Sequence, residues 1–85
     1  MKIKVVLTGR SYDLAAEIPD EWELDEGATL NQLLGAINEK LNQHPLSPSC
    51  LIAIAGKHCG TVGQHQDCVL KAGQELVLLQ PVAGG

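Results

Sequence analysis

The C-terminal end of the chain places the tightest limits on its fold. Glu75 to Leu79 form a short, nearly continuous apolar run rich in Val and Leu, typical of a strand buried on both faces. Pro81 cannot donate a hydrogen bond to a neighbouring strand, and it restricts the preceding residue to extended geometry, so strand pairing should end near Gln80. The sequence therefore predicts a central strand that runs directly into a flexible tail, residues 81–85.

The predicted tail has one reactive group, its terminal carboxylate. The side chains of Pro81, Val82, Ala83, Gly84 and Gly85 contain no acid, base, nucleophile or metal ligand. The α-carboxylate of Gly85 has a reference pKa of about 3.5, so at neutral pH it is an anion and a poor electrophile. Chemistry at that carbon requires activation, most simply as an acyl-adenylate made with ATP. The alternative is a frayed end without function, because chain termini are commonly disordered and glycine-rich.

The two terminal glycines suit a group that must reach into another protein. Since they lack a Cβ, they tolerate unusual backbone conformations and pass through a channel that would exclude branched residues. Five extended residues span at most about 17 Å, which is enough to enter another protein's active site.

Length and composition exclude several classes of protein. The 85 residues predict one domain, and 45% hydrophobic with 19% charged residues is a globular composition. A net charge of -4 and an aromatic content of 2% argue against binding to nucleic acid. The apolar run from Val5 to Leu7 is far shorter than a membrane span or a signal-peptide core, so a cytoplasmic location is expected. The three cysteines, Cys50, Cys59 and Cys68, are then expected to be reduced.

The first half of the chain predicts a hairpin, an acidic connection and a helix. Lys2 to Leu7 and Tyr12 to Ile18 alternate enough to form two strands. The acidic segment 19–27 is interpreted as a solvated connection that Trp22 and Leu24 anchor. Its alternative role is to recognise a basic patch on a partner.

The main helix is marked by its cap and its periodicity. Thr29 and Gln32 have the spacing of a capping box. Apolar residues then recur every three or four positions, and the helix is expected to end near Gln43. These apolar positions are Leu30, Leu33, Leu34, Ile37 and Leu41.

The second half predicts short strands. Leu51 to Ala55 is an apolar run of strand length, and His58 to Val62 is expected to pair back on it. Gly60 to Gln66 is polar and ambiguous. A helix between an N-terminal hairpin and a buried C-terminal strand packs most economically across one face of a sheet, with the first and last strands parallel at the centre. The predicted fold is α+β, a ubiquitin-like β-grasp with a mixed sheet of four to five strands and one main helix, over residues 1–80.

Several segments together resemble the MoaD/ThiS family of ubiquitin-like sulfur carriers. The similar segments are Lys2 to Leu7, Gly27 to Leu34, Leu51 to Lys57, Lys71 to Leu76 and Pro81 to Gly85. Gly-Gly alone is a weak signal, but its combination with the preceding turn, the last strand and the total length is specific. The family resemblance extends over the whole chain.

The resemblance implies that the chain is a sulfur carrier and not an independent enzyme. In the family, a ubiquitin-activating-like adenylyltransferase uses ATP to adenylate the terminal glycine. Sulfur from a donor then converts the adenylated carboxyl group to a thiocarboxylate. Carried over, Gly85 bears the sulfur, Gly84 is its slender neighbour, and Pro81, Val82 and Ala83 form the stalk that enters partner enzymes. No cofactor or metal is expected to be bound.

The form of the tail also implies a pathway. Pro-Val-x-Gly-Gly is more similar to the small subunit of molybdopterin synthase than to the thiamin-thiazole carrier, which implies the large subunit of that synthase as a partner. The chain differs from the family in having Leu78, Leu79 and Gln80 where aromatic residues and a second proline are common, and in a longer Gly60 to Gln66 segment.

Three other functions stay open from the sequence. The sulfur acceptor could belong to another pathway, namely thiamin thiazole, cysteine or tRNA thiolation. The activated terminus could instead form an isopeptide bond with lysine, as in a protein modifier. Finally, four potential ligands of zinc lie within eleven residues, although their spacing matches no familiar motif, and the two cysteines among them could instead form a disulfide. The four residues are His58, Cys59, His65 and Cys68.

Overall fold

The computed structural model describes residues 1–9, 18–41 and 45–80. In chain order its elements are β1 (Lys2–Gly9), β2 (Glu21–Glu23), α1 (Leu30–Leu41), β3 (Leu51–Ile54), β4 (Lys57–Thr61), β5 (Gln64–His65) and β6 (Glu75–Gln80). The predicted strand from Tyr12 to Ile18 lies outside the described residues except for Ile18, and the predicted tail, residues 81–85, lies outside them entirely.

All the described strands belong to one mixed sheet. Its order is β2-β1-β6-β3-β4-β5. β1 and β6 are parallel neighbours, in register from Lys4 opposite Glu75 to Gly9 opposite Gln80. β3 runs antiparallel on the other side of β6, with Leu51 opposite Leu79. This arrangement confirms the predicted ubiquitin-like β-grasp with its first and last strands parallel at the centre.

The sheet has six strands, and the predicted count of four to five was too low. β2 lies in the acidic segment that was interpreted as a solvated connection. Trp22 is buried and its Nε1 donates a hydrogen bond to the Pro19 carbonyl oxygen at 2.9 Å, whereas Glu21 and Glu23 point outward and are exposed. The predicted anchoring by Trp22 is therefore confirmed, and this anchor holds a three-residue strand against β1.

Helix α1 begins with the predicted capping box. The Gln32 N–H donates to Thr29 Oγ1 at 3.2 Å, and the Thr29 N–H donates to Gln32 Oε1 at 2.9 Å. These reciprocal bonds satisfy two backbone donors that a helix start leaves unpaired. All five predicted apolar positions of the helix are buried. The predicted end near Gln43 lies outside the described residues.

The segment from Gly60 to Gln66, whose structure the sequence left ambiguous, contains the end of β4 and all of β5, and these two strands form a hairpin. β4 pairs with β5 through Gly60 opposite His65 and Thr61 opposite Gln64. β4 itself returns on β3 through a turn in which Ala55 and Gly56 both have positive φ, 52° and 82°. Positive φ at both central residues is the type I′ geometry that matches the twist of adjacent strands.

The two faces of β6 differ in burial. Leu76 and Leu78 are fully buried in a core that includes the apolar side of α1, whereas Val77 is half-buried and Leu79 is 41% exposed. The prediction that this strand is buried on both faces was wrong, because α1 covers one side of the sheet and no described element covers the other.

This difference predicts unequal effects for two neighbouring truncations. Leu78→Ala should lower the free energy of unfolding by about 2 to 5 kcal/mol, because it leaves a cavity in the core. Val77→Ala should cost about 1 kcal/mol or less, since its side chain faces partly to solvent. Urea denaturation of both variants measures the difference, and equal losses would contradict the assignment of the two faces.

Candidate functional site

The structure describes the base from which residues 81–85 start. β6 ends at Gln80, where the backbone is paired with Gly9 of β1, and Leu79 is paired with Leu51 of β3. Two neighbouring strands therefore hold Leu79 on both sides, whereas Gln80 is held by β1 alone. The predicted site residues Pro81, Val82, Ala83, Gly84 and Gly85 lie outside the described part of the chain.

An apolar surface lies next to this base, on the side of the sheet opposite α1. Residues paired across neighbouring strands share a face, and the pairs Val6 with Val77, Ala53 with Val77, and Leu51 with Leu79 place five apolar residues together. Each of the five is half-buried or exposed. We call this surface the open face, and its residues are Val6, Leu51, Ala53, Val77 and Leu79.

Charged residues flank the open face where β6 begins. Lys4 Nζ lies 3.7 Å from Glu75 Oε2, and both side chains are about half exposed. An exposed ion pair of this kind contributes little to stability. The pair gives the open face a polar border at the start of β6, far from the base of the tail.

The acidic segment forms a solvated edge of the molecule. Glu21, Glu23, Asp25 and Glu26 are all exposed, and some of them line an open depression of about 440 Å³ together with Leu24, Gly27, Ala28 and Gln32. The interpretation of these carboxylates as a solvated face agrees with their exposure.

Two of the four potential zinc ligands near β4 and β5, His65 and Cys59, have other partners. His65 Nδ1 lies 2.8 Å from the Thr61 carbonyl oxygen, and His65 Nε2 lies 2.6 Å from Asn31 Oδ1. Cys59 Sγ donates to the Lys57 carbonyl oxygen at 3.2 Å. Over residues 1–9, 18–41 and 45–80, no three His, Cys, Asp or Glu side chains are grouped so that they could hold a metal ion. Cys59 and Cys68 are both free thiols.

Asp67 has a role that the sequence pattern did not indicate. Its Oδ1 accepts hydrogen bonds from the Asn31 N–H at 2.9 Å and from the Cys68 N–H at 3.0 Å. The Cys68 carbonyl oxygen accepts from the Leu30 N–H at 2.8 Å. The loop after β5 thus satisfies further donors of the helix start, and no local sequence signal marks a contact between residues 36 positions apart.

The three thiols differ in environment. Cys50 is buried in the core, and burial raises its pKa to about 11. Cys68 is exposed, and its pKa is raised by partial burial and then by the nearby Cys59 and Asp67.

Among the described residues, no helix has the length and apolar character that crossing a membrane requires.

Comparison with known proteins identifies the family. The model of the ThiS family matches residues 5–85. The chain belongs to the ThiS family. The predicted resemblance is thereby confirmed, and membership supports a role as a sulfur carrier. A search of curated proteins finds no match.

A solved structure agrees with the family assignment at the level of the fold. The chain is similar to a chain in the complex of subunits 1 and 2 of molybdopterin-converting factor from Helicobacter pylori 26695. The two share 22% identity, each chain is covered completely, and the TM-score is 0.55. This similarity places the ThiS-family chain among proteins of the same fold.

The thiol environments predict an order of chemical labelling. A disulfide reagent at about pH 8 should react with Cys68 in the folded protein, while Cys50 stays protonated and shielded until unfolding. Peptide mapping after brief labelling, with and without urea, measures this order. Labelling of Cys50 as fast as Cys68 in the absence of urea would contradict the buried position.

Proposed function

We propose that this ThiS-family chain carries sulfur on the carboxyl group of Gly85. The main support is the family match, which extends through Gly85 itself. In this proposal residues 1–80 are the carrier body, and Pro81, Val82, Ala83 and Gly84 are the stalk that enters partner enzymes. The base of the stalk is the end of β6, which is paired with β3 as far as Leu79 and with β1 as far as Gln80.

The chemistry requires two steps at one carboxyl group. A ubiquitin-activating-like adenylyltransferase binds ATP, the Gly85 carboxylate attacks its α-phosphorus, and pyrophosphate leaves. The resulting acyl-adenylate is an electrophile, so sulfide attacks the acyl carbon and AMP leaves. A persulfide donor instead forms an acyl disulfide as AMP leaves, and a thiol then cleaves its S–S bond, releasing the thiocarboxylate and a disulfide of donor and thiol. With sulfide the product is directly the thiocarboxylate, whose sulfur is a nucleophile. The tail supplies no acid or base of its own, because no side chain from Pro81 to Gly85 can act as one.

The proposed destination of the sulfur is molybdopterin, held by the large subunit of molybdopterin synthase. The structural neighbour is one of two subunits of a molybdopterin-converting factor in complex. The open face is the surface of this chain that suits such a partner, because it is apolar and adjoins the base of residues 81–85. A protein that covers the open face is correctly placed to receive the tail.

The proposed carrier function predicts a defined change of mass. Incubation with the adenylyltransferase, ATP and sulfide should increase the intact mass by the difference between one sulfur and one oxygen atom. A variant that lacks Gly85, or that extends beyond it, should gain no sulfur while it unfolds at the same urea concentration as the wild type. Sulfur gain by the Gly85 deletion would contradict the mechanism, and higher-mass conjugates on lysine would indicate a protein modifier instead.

The proposed docking surface predicts a specific effect of charge. Leu79→Glu should weaken binding to the large subunit about tenfold or more, because it places an unpaired charge where the partner would remove apolar surface from water, and a tenfold loss needs only about 1.4 kcal/mol. Val69→Glu is the matched control, since Val69 is 61% exposed but lies in the loop beside the start of α1. Titration calorimetry measures both affinities, and equal weakening by the two variants would contradict the assignment of the open face.

A further inference from the structure

Gln80 occupies a position where the pattern of β6 calls for an apolar residue. It follows Leu76 and Leu78 at intervals of two, so its side chain leaves the strand on the core side. Its neighbour in register on β1 is Gly9, which has no side chain. A polar carboxamide therefore lies at the edge of the core, directly before Pro81.

The carboxamide oxygen of Gln80 is buried and has no hydrogen-bond partner among the described residues. Two other glutamines show the usual arrangement. Gln32 Oε1 accepts from the Thr29 N–H at 2.9 Å, and Gln74 Oε1 accepts from the Lys71 N–H at 2.8 Å. The Gln80 oxygen, at one end of β6, is thus unpaired, whereas the Gln74 oxygen, just before the other end of β6, has a partner.

An unpaired buried acceptor costs free energy on folding that an apolar side chain of the same length would not cost. The described core therefore gives no reason for a glutamine at this position. Because the oxygen has no partner among the described residues, the Gln80 side chain can rotate without breaking a hydrogen bond to that oxygen.

The next residue in the chain cannot supply the missing donor. Pro81 has no N–H, so the first backbone donor after Gln80 belongs to Val82, within the segment that the proposed function assigns to partner enzymes. A protein that binds this segment also meets the end of β6. Its backbone and side-chain N–H groups can then supply a donor to the Gln80 carboxamide.

We propose that Gln80 is a positioning residue for the reaction at Gly85. Its carboxamide oxygen accepts a hydrogen bond from an N–H group of the bound adenylyltransferase, and this bond fixes the direction in which residues 81–85 leave the sheet. The inference depends on the proposed sulfur-carrier function. It assigns Gln80 no contact with the reacting atoms.

The test separates stability from substrate recognition. Gln80→Met removes the oxygen at nearly constant length, and Gln74→Met is the matched control. Urea denaturation gives the unfolding midpoint, and the initial rate of sulfur gain by intact mass, against carrier concentration, gives kcat and KM for the adenylyltransferase with ATP and sulfide. Gln80→Met should unfold at or above the wild-type midpoint while its KM rises about three- to tenfold, the range for loss of one hydrogen bond.

The control and a conservative variant complete the test. Gln74→Met should lower the midpoint and leave KM unchanged, because its oxygen has a partner in the free protein. Gln80→Glu retains the acceptor oxygens, so its KM should stay near the wild-type value even though a buried charge lowers its midpoint.

Two results would overturn the inference. A wild-type KM in Gln80→Met would show that the oxygen makes no bond to the enzyme, and a lowered midpoint would show that it already has a partner in the free chain. Either result leaves the carrier function intact as long as the wild type gains sulfur. A wild type that gains none would refute both proposals.

Discussion

The parallel pairing of β1 and β6 is the interaction on which the rest of the structure depends. The two strands lie near the two ends of the described chain. Their pairing from Lys4 to Gly9 joins the N-terminal strands of the sheet to the C-terminal ones over one core. The register is fixed because a shift by one residue would turn Leu76 and Leu78 out of that core and bring Val77 and Leu79 into it. Burial on one face thus fixes the register in which β6 pairs with β1.

This constraint connects the fold to the proposed function. A carrier needs a body that contributes no competing chemistry and a reactive end that starts from a fixed position. β1 holds β6 as far as Gln80 and β3 holds it as far as Leu79, while the open face next to them gives a partner an apolar surface to cover. Gln80, at the junction of strand and tail, is the residue through which we infer that a partner controls the direction of the tail.

Local signals in the sequence were sufficient for the helix and for the central strands. Thr29, Gln32 and the regular apolar positions of α1 act within a few residues of one another, so their pattern predicts both the cap and the buried side. The parallel pairing of the first and last strands followed from the order of elements and from their apolar character. The MoaD/ThiS resemblance was carried by segments from both halves of the chain, and the match to residues 5–85 bears it out.

Features that depend on distant contacts could not be predicted in this way. β2 and β5 contain three and two residues, too few for a periodic pattern, and they exist because Trp22 and the β4 hairpin bring them to the sheet. The bond from Asn31 to Asp67 joins residues 36 positions apart. The exposure of Leu79 depends on which side of the sheet α1 covers, and an apolar run such as Glu75 to Leu79 does not encode that choice.

The most direct test of the account is to locate the sulfur in protein isolated from its own cell. Tandem mass spectrometry of the C-terminal peptide, under conditions that preserve thiocarboxylates, identifies the atom that bears the sulfur. The account predicts one sulfur in place of one oxygen on the carboxyl group of Gly85. Sulfur found as a persulfide on Cys59 or Cys68, with an unmodified Gly85 carboxylate, would contradict it.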